Sequence, residues 1–86
     1  MVKIYTTPTC QHCDMAKDFL KKKNVRSKEI DAASDANALR EMYEKTEQLG
    51  VPVIDINGFL VIGFDRDMIE NLLEKYSLLE NNWHGG

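Results

Sequence analysis

Cysteine is scarce in this chain: Cys10 and Cys13 are the only two among 86 residues. That count excludes a disulfide-stapled scaffold. It also leaves a zinc site without its second ligand pair, since beyond the segment around the two cysteines only His84 is left to help. Long apolar runs are missing too. None approaches the roughly 20 residues that cross a bilayer, so no membrane span is expected. Excess positive charge is absent: 11 Lys and Arg stand against 14 Asp and Glu, a formal net charge of −3. That balance provides no basic stripe for a phosphate backbone, so nucleic acid is not an expected partner. The start, Met1-Val2-Lys3-Ile4-Tyr5, has no signal-peptide apolar region, and a cytoplasmic location is expected. Internal repeats, linkers and low-complexity segments are also lacking.

What remains is one small domain. Hydrophobic residues at 43% and charged residues at 29% suit a soluble globular chain, and a chain this short buries only a modest core. The expected domain spans residues 1–79, followed by a flexible tail at 80–86 that holds Trp83, for which no role is assigned. A monomer is the default.

The pattern along the chain alternates between strand and helix. Val2 to Tyr5 reads as a short strand, stopped at Pro8. From Gln11 to Lys23 the apolar positions Cys13, Ala16, Phe19 and Leu20 share one helical face. Lys21, Lys22 and Lys23 complement the dipole of its last turn, and Asn24 ends it. Val25 to Ile30 can form a second strand, and its charged residues suggest a sheet edge. Ser34 or Asp35 can cap a second helix through about Gln48, with Leu39, Met42, Tyr43 and Thr46 inward and Gly50 closing it. Two apolar runs then flank Asn57-Gly58, a strong hairpin signal because both central positions of a type I′ turn need positive φ. Asp65 can cap a third helix that turns Met68, Ile69, Leu72, Leu73 and Tyr76 inward. The order is β-α-β-α-β-β-α: a four-stranded mixed sheet carrying three helices, with a parallel first pair and an added antiparallel hairpin. Pro52 lacks an N–H for the ladder, so it is expected at the very start of its strand, facing open space.

The chemistry lies in Thr7-Pro8-Thr9-Cys10-Gln11-His12-Cys13. The C-x-x-C spacing lets the two sulfurs close a small disulfide ring. It also places the first sulfur at the amino end of a helix, where thiolate is favoured over thiol. Disulfide exchange needs an attacking thiolate and a second thiol that displaces what the first has captured. Cys10, at the helix start, suits attack; Cys13, one turn inside on the buried stripe, suits resolution. Two roles are open to His12. A protonated imidazole near the Cys10 sulfur would stabilise thiolate further, or His12 is an exposed first-turn residue that touches partners. The alternative reading of the pair is a metal- or iron–sulfur-binding module. A purely structural bridge would close too small a loop to restrict the unfolded chain much.

Three blocks, Ile4-Tyr5-Thr6-Thr7-Pro8-Thr9-Cys10-Gln11-His12-Cys13, Val51-Pro52-Val53-Ile54 and Ile62-Gly63-Phe64-Asp65, occur in the order seen in glutaredoxins. The chain resembles that family, or a glutaredoxin-like dithiol redoxin, over roughly residues 2 to 79. The resemblance implies a thioredoxin fold and a thiol–disulfide oxidoreductase acting on protein or glutathione mixed disulfides. It implies no bound cofactor, with glutathione as a co-substrate or a thioredoxin-reductase-like flavoprotein as electron donor. It also implies a cis Val51-Pro52 bond beside Cys10, with the Val51 backbone pairing an extended substrate or glutathione. Thr7, Gln11, Gly63, Phe64 and Asp65 stand at positions where the family binds glutathione. Several depart from the common pattern: Thr7 replaces a lysine, Gln11-His12 replaces Pro-Tyr, Gly50 replaces a threonine, and Phe64 replaces a second glycine. Each departure removes or alters a glutathione contact. For Phe64, packing under the third helix and forming an apolar partner surface are both open; for Asp65, capping and glutathione binding are compatible.

Overall fold

Alternation along the first strand divides the molecule into two layers. In the computed structural model, which describes residues 2–76, Val2 and Ile4 pack into one core and Tyr5 into another on the opposite sheet face. The elements are β1 (Val2–Thr6), α1 (Gln11–Lys22), β2 (Lys28–Asp31), α2 (Ala36–Thr46), β3 (Val53–Ile56), β4 (Phe59–Ile62) and α3 (Arg66–Lys75). They form one four-stranded sheet in the order β2-β1-β3-β4. β1 and β2 are parallel, while β3 runs antiparallel to both β1 and β4. The expected tail, Trp83 and the boundary near residue 79 lie outside the described residues.

The larger core joins Ile4, Ile54, Ile56 and Val61 of the sheet to Ala16, Phe19 and Leu20 of α1 and Ile69 and Leu73 of α3. The smaller core sets Tyr5 and Val53 against Met42 of α2, with Leu39, Leu60 and Ile30 around them. A polar clamp borders it. The Tyr5 hydroxyl donates to Glu41 at 3.0 Å, and Lys45 reaches both the Tyr5 oxygen and Asp55 at 3.3 Å. Asp55, though buried, also accepts the Gly58 N–H at 2.8 Å. One carboxylate thereby ties α2 to the hairpin turn.

The helix ends follow their expected chemistry with one exception. Asn24 takes the left-handed conformation after α1, with φ 59°. Its N–H bonds the Lys21 carbonyl and the Val25 N–H bonds the Leu20 carbonyl, at 3.0 and 2.9 Å, a Schellman closure. Val25 is buried against Leu20's core, so β2 starts only at Lys28 rather than at Val25. Asp35, not Ser34, caps α2. Gly50 does not close that helix: Glu47 adopts φ 58° three residues earlier and ends it. Asn57 and Gly58 both have positive φ, as the tight turn requires.

Two inward assignments and one outward one are corrected. Tyr43 and Met68 are 49% and 48% exposed. Each stands about 100° round its helix from a core residue, Met42 and Ile69, and the apolar stripe is too narrow to hold both neighbours. Pro52 does not face open space. It is fully buried, one residue before β3, and its carbonyl accepts the Gly63 N–H at 2.8 Å. A proline can precede this central strand because the ladder begins only at Val53.

Candidate active site

β1 ends at Thr6, and the chain reaches α1 through a short exposed turn at Pro8 and Thr9. Cys10 is the N-cap of α1, with extended backbone at φ −108° and ψ 113°. A helix start leaves N–H groups without intrahelical partners, and here a sulfur takes the place of the usual capping oxygen. The Cys13 N–H donates to Cys10 Sγ at 3.1 Å. Both cysteines are free thiols; Cys10 is half-buried and Cys13 is fully buried. The spacing thus yields two unlike sulfurs, one at the surface and one a turn inside.

Burial pushes the Cys13 thiol up from 9.0 to about 11, reinforced by its hydrogen bond to Cys10 and by the charge Cys10 can carry. A backbone hydrogen bond from Thr7 and the positive charge of Lys17 pull the other way. Lys17 lies one turn beyond Cys13 and also meets Asp14 and Glu29, both at 3.5 Å. Its role was not read from the sequence, although helical i, i+4 spacing from Cys13 points to it.

The third component comes from the far end of the chain. Val51-Pro52 is a cis peptide bond, and the Val51 carbonyl lies 3.9 Å from Cys10 Sγ. β1 and β3 are neighbours with Tyr5 opposite Val53, so the residues just beyond those two positions meet at one sheet end. Gly63, with φ 83°, is tied in through the Pro52 carbonyl. The structure therefore gathers Cys10, Cys13, the Thr7 backbone, Val51, Pro52 and Gly63.

The other candidates are less closely joined. Gln11 and His12 are exposed on the first turn of α1, and among the described residues the donor to Cys10 Sγ is the Cys13 N–H, not the His12 ring. Phe64 packs edge-on against Phe19, with ring centres 5.8 Å apart, at the border of the larger core. This ring contact is with α1 rather than with α3. Asp65 caps α3 by accepting the Met68 N–H at 3.2 Å. Among the described residues no group of three or more His, Cys, Asp or Glu side chains is arranged to hold a metal ion. No helix among them is long and apolar enough to cross a membrane.

The model of the family described as Glutaredoxin matches residues 2–61. The chain belongs to the glutaredoxin family. Among its curated relatives is an uncharacterised glutaredoxin-like 8.6 kDa protein in a rubredoxin operon of Clostridium pasteurianum. It is 43% identical over 75 residues, 87% of this chain and 100% of that one. Solved structures agree on the thioredoxin-like fold. The thioredoxin-like protein BC3987 is 33% identical with a TM-score of 0.81, over 85% of this chain and 100% of the other. A glutaredoxin of Brucella melitensis is 35% identical with a TM-score of 0.69, over 92% and 87%. Glutaredoxin membership carries thiol oxidoreductase chemistry in general. The sheet order, with β1 beside β3, explains why Cys10 and Val51, 41 residues apart, meet.

Proposed function

We propose that this glutaredoxin-family chain is a dithiol thiol–disulfide oxidoreductase in which Cys10 attacks and Cys13 resolves. The observation that carries the reading is the asymmetry of the pair. Cys10 Sγ is only half-buried and accepts the Cys13 N–H at the start of α1, where a substrate disulfide can reach it. Cys13 is buried and held as a thiol at neutral pH.

The exchange balances as two displacements. Cys10 thiolate attacks one sulfur of a substrate disulfide; a Cys10–substrate bond forms, the substrate S–S bond breaks, and the leaving thiolate takes a proton. Cys10 then carries no charge, which removes one of the influences holding Cys13 up. Cys13 gives up its proton and attacks Cys10 Sγ, releasing the second substrate thiol. The protein is left with a Cys10–Cys13 disulfide and the substrate is reduced by two electrons. Two glutathione thiols, or a flavoprotein reductase of the thioredoxin-reductase kind, restore the dithiol.

Val51 supplies backbone groups to an extended segment beside the reacting disulfide, as in strand addition. His12, exposed on the first turn of α1, is placed to touch the partner that carries the disulfide. Thr7, Gln11 and Phe64 depart from the family's glutathione pattern, and Phe64 is committed to packing on Phe19. These points favour the flavoprotein as donor and protein disulfides as substrates. The working form is a monomer in the reducing cytoplasm.

The test is turnover of one protein disulfide with two donor systems, glutathione plus its reductase or thioredoxin reductase with its nicotinamide cofactor. Faster turnover with thioredoxin reductase is expected. Turnover with glutathione alone overturns the donor assignment, and no turnover with either overturns the activity.

A further inference from the structure

Val51 is held on both sides. On its carboxyl side, the Pro52 carbonyl accepts the Gly63 N–H at 2.8 Å. On its amino side, both polar groups of the Gly50 backbone are taken by one side chain. The Gly50 N–H donates to Gln48 Oε1 at 2.7 Å, and Gln48 Nε2 donates to the Gly50 carbonyl at 3.1 Å. The amide orientation follows from chemistry: a backbone N–H can only donate, so the atom facing it is the oxygen. Nε2 also lies 3.4 Å from Thr46 Oγ1, and that hydroxyl reaches the Met42 carbonyl of α2 at 2.7 Å. The Gly50 backbone is thereby tied through Gln48 and Thr46 to the last turn of a helix.

Between these anchors Val51 keeps its N–H available. Its N–H has no partner among the described residues, and its carbonyl faces Cys10 Sγ. Gly50 fits the same arrangement. Its φ is not in the left-handed region, so backbone freedom is not what requires glycine; a Cβ there would stand 2.7 Å from Gln48 Oε1. Any larger residue would have to displace the amide from this place.

We propose that Gln48 is a positioning residue whose amide clamps Gly50 and so presents the Val51 backbone, beside Cys10, to an extended disulfide-containing segment of a protein substrate. This rests on the exchange reading above. Gln48 touches neither substrate nor sulfur; it fixes the strand that does. Its effect therefore falls on substrate capture rather than on the sulfur chemistry.

The test is stopped-flow reduction of a cystine-bridged peptide with extended flanks by the pre-reduced full chain, with Gln48→Ala, Gly50→Ala and the double variant beside wild type. Each single variant raises the half-saturation concentration about three- to tenfold, the worth of roughly one neutral hydrogen bond, while the limiting rate stays near wild type. The double variant is no worse than either single one, because Gly50→Ala acts by expelling the amide that Gln48→Ala deletes. An unchanged half-saturation concentration, a matching fall in the limiting rate, or additive effects overturns the clamp. A wild-type chain that fails to reduce the peptide at all overturns the exchange reading instead, and the clamp's role with it.

Discussion

At the scale of single residues, two cysteines three positions apart differ through their surroundings. Cys13 keeps its proton more tightly in the folded chain, from 9.0 to about 11. In that window the folded state binds more protons than the unfolded one, so stability falls as pH rises. The contribution of Cys13 is fully present below 9.0 and lost by about 11. Chemical denaturation of the reduced protein across this range shows a steeper loss for wild type than for Cys13→Ser; parallel profiles would contradict burial as the cause. Lys17 acts in the opposite direction on the same thiol. Adding Lys17→Gln to a Cys10→Ser background moves the Cys13 titration further up, read from thiolate absorbance against pH. These differences in burial and charge could only be sketched from sequence. The stripe Cys13-Ala16-Phe19-Leu20 placed Cys13 inside, but nothing in the residue order marked Gln48, whose partner is merely the glycine two positions on.

At the scale of elements, local rules worked where one side chain satisfies its own neighbours. Asp35 and Asp65 cap α2 and α3, and Asn57-Gly58 makes its turn, because each feature needs only a few adjacent residues. The rules failed where tertiary packing decides. Tyr43 and Met68 lost their core positions to Met42 and Ile69, and Glu47 ended α2 before Gly50 could. Asp65 allows two functions to be separated. Asp65→Ala loses the cap and costs about 1 kcal/mol, whereas Asp65→Asn keeps a capping oxygen and stays near wild type in thermal unfolding. A glutathione contact through the carboxylate would instead make Asp65→Asn raise the KM for glutathione. An equal loss of stability in both variants would show that the cap depends on charge.

At the scale of the whole molecule, the fold was readable because β-α-β-α-β-β-α leaves few ways to cover both faces of a four-stranded sheet. The sheet brings the ends of β1 and β3 together, and that is how Cys10 reaches Val51. What sequence order could not supply was depth: Pro52, expected to face open space, is buried, next to the Val51 whose carbonyl meets Cys10 Sγ. The larger core stands behind the site. Ile54→Ala, at a fully buried position on central strand β3, costs about 2–5 kcal/mol in chemical denaturation. A smaller loss would mean that the two helices on that face can close the cavity.

The division of labour between the two sulfurs is tested most directly by trapping. Reduced Cys13→Ser is mixed with a substrate disulfide, and the adduct is mapped by mass spectrometry of its peptides. A long-lived mixed disulfide on Cys10 is predicted, with no adduct and no turnover for Cys10→Ser. Capture through Cys13 in the Cys10→Ser protein, or turnover without Cys10, would contradict it.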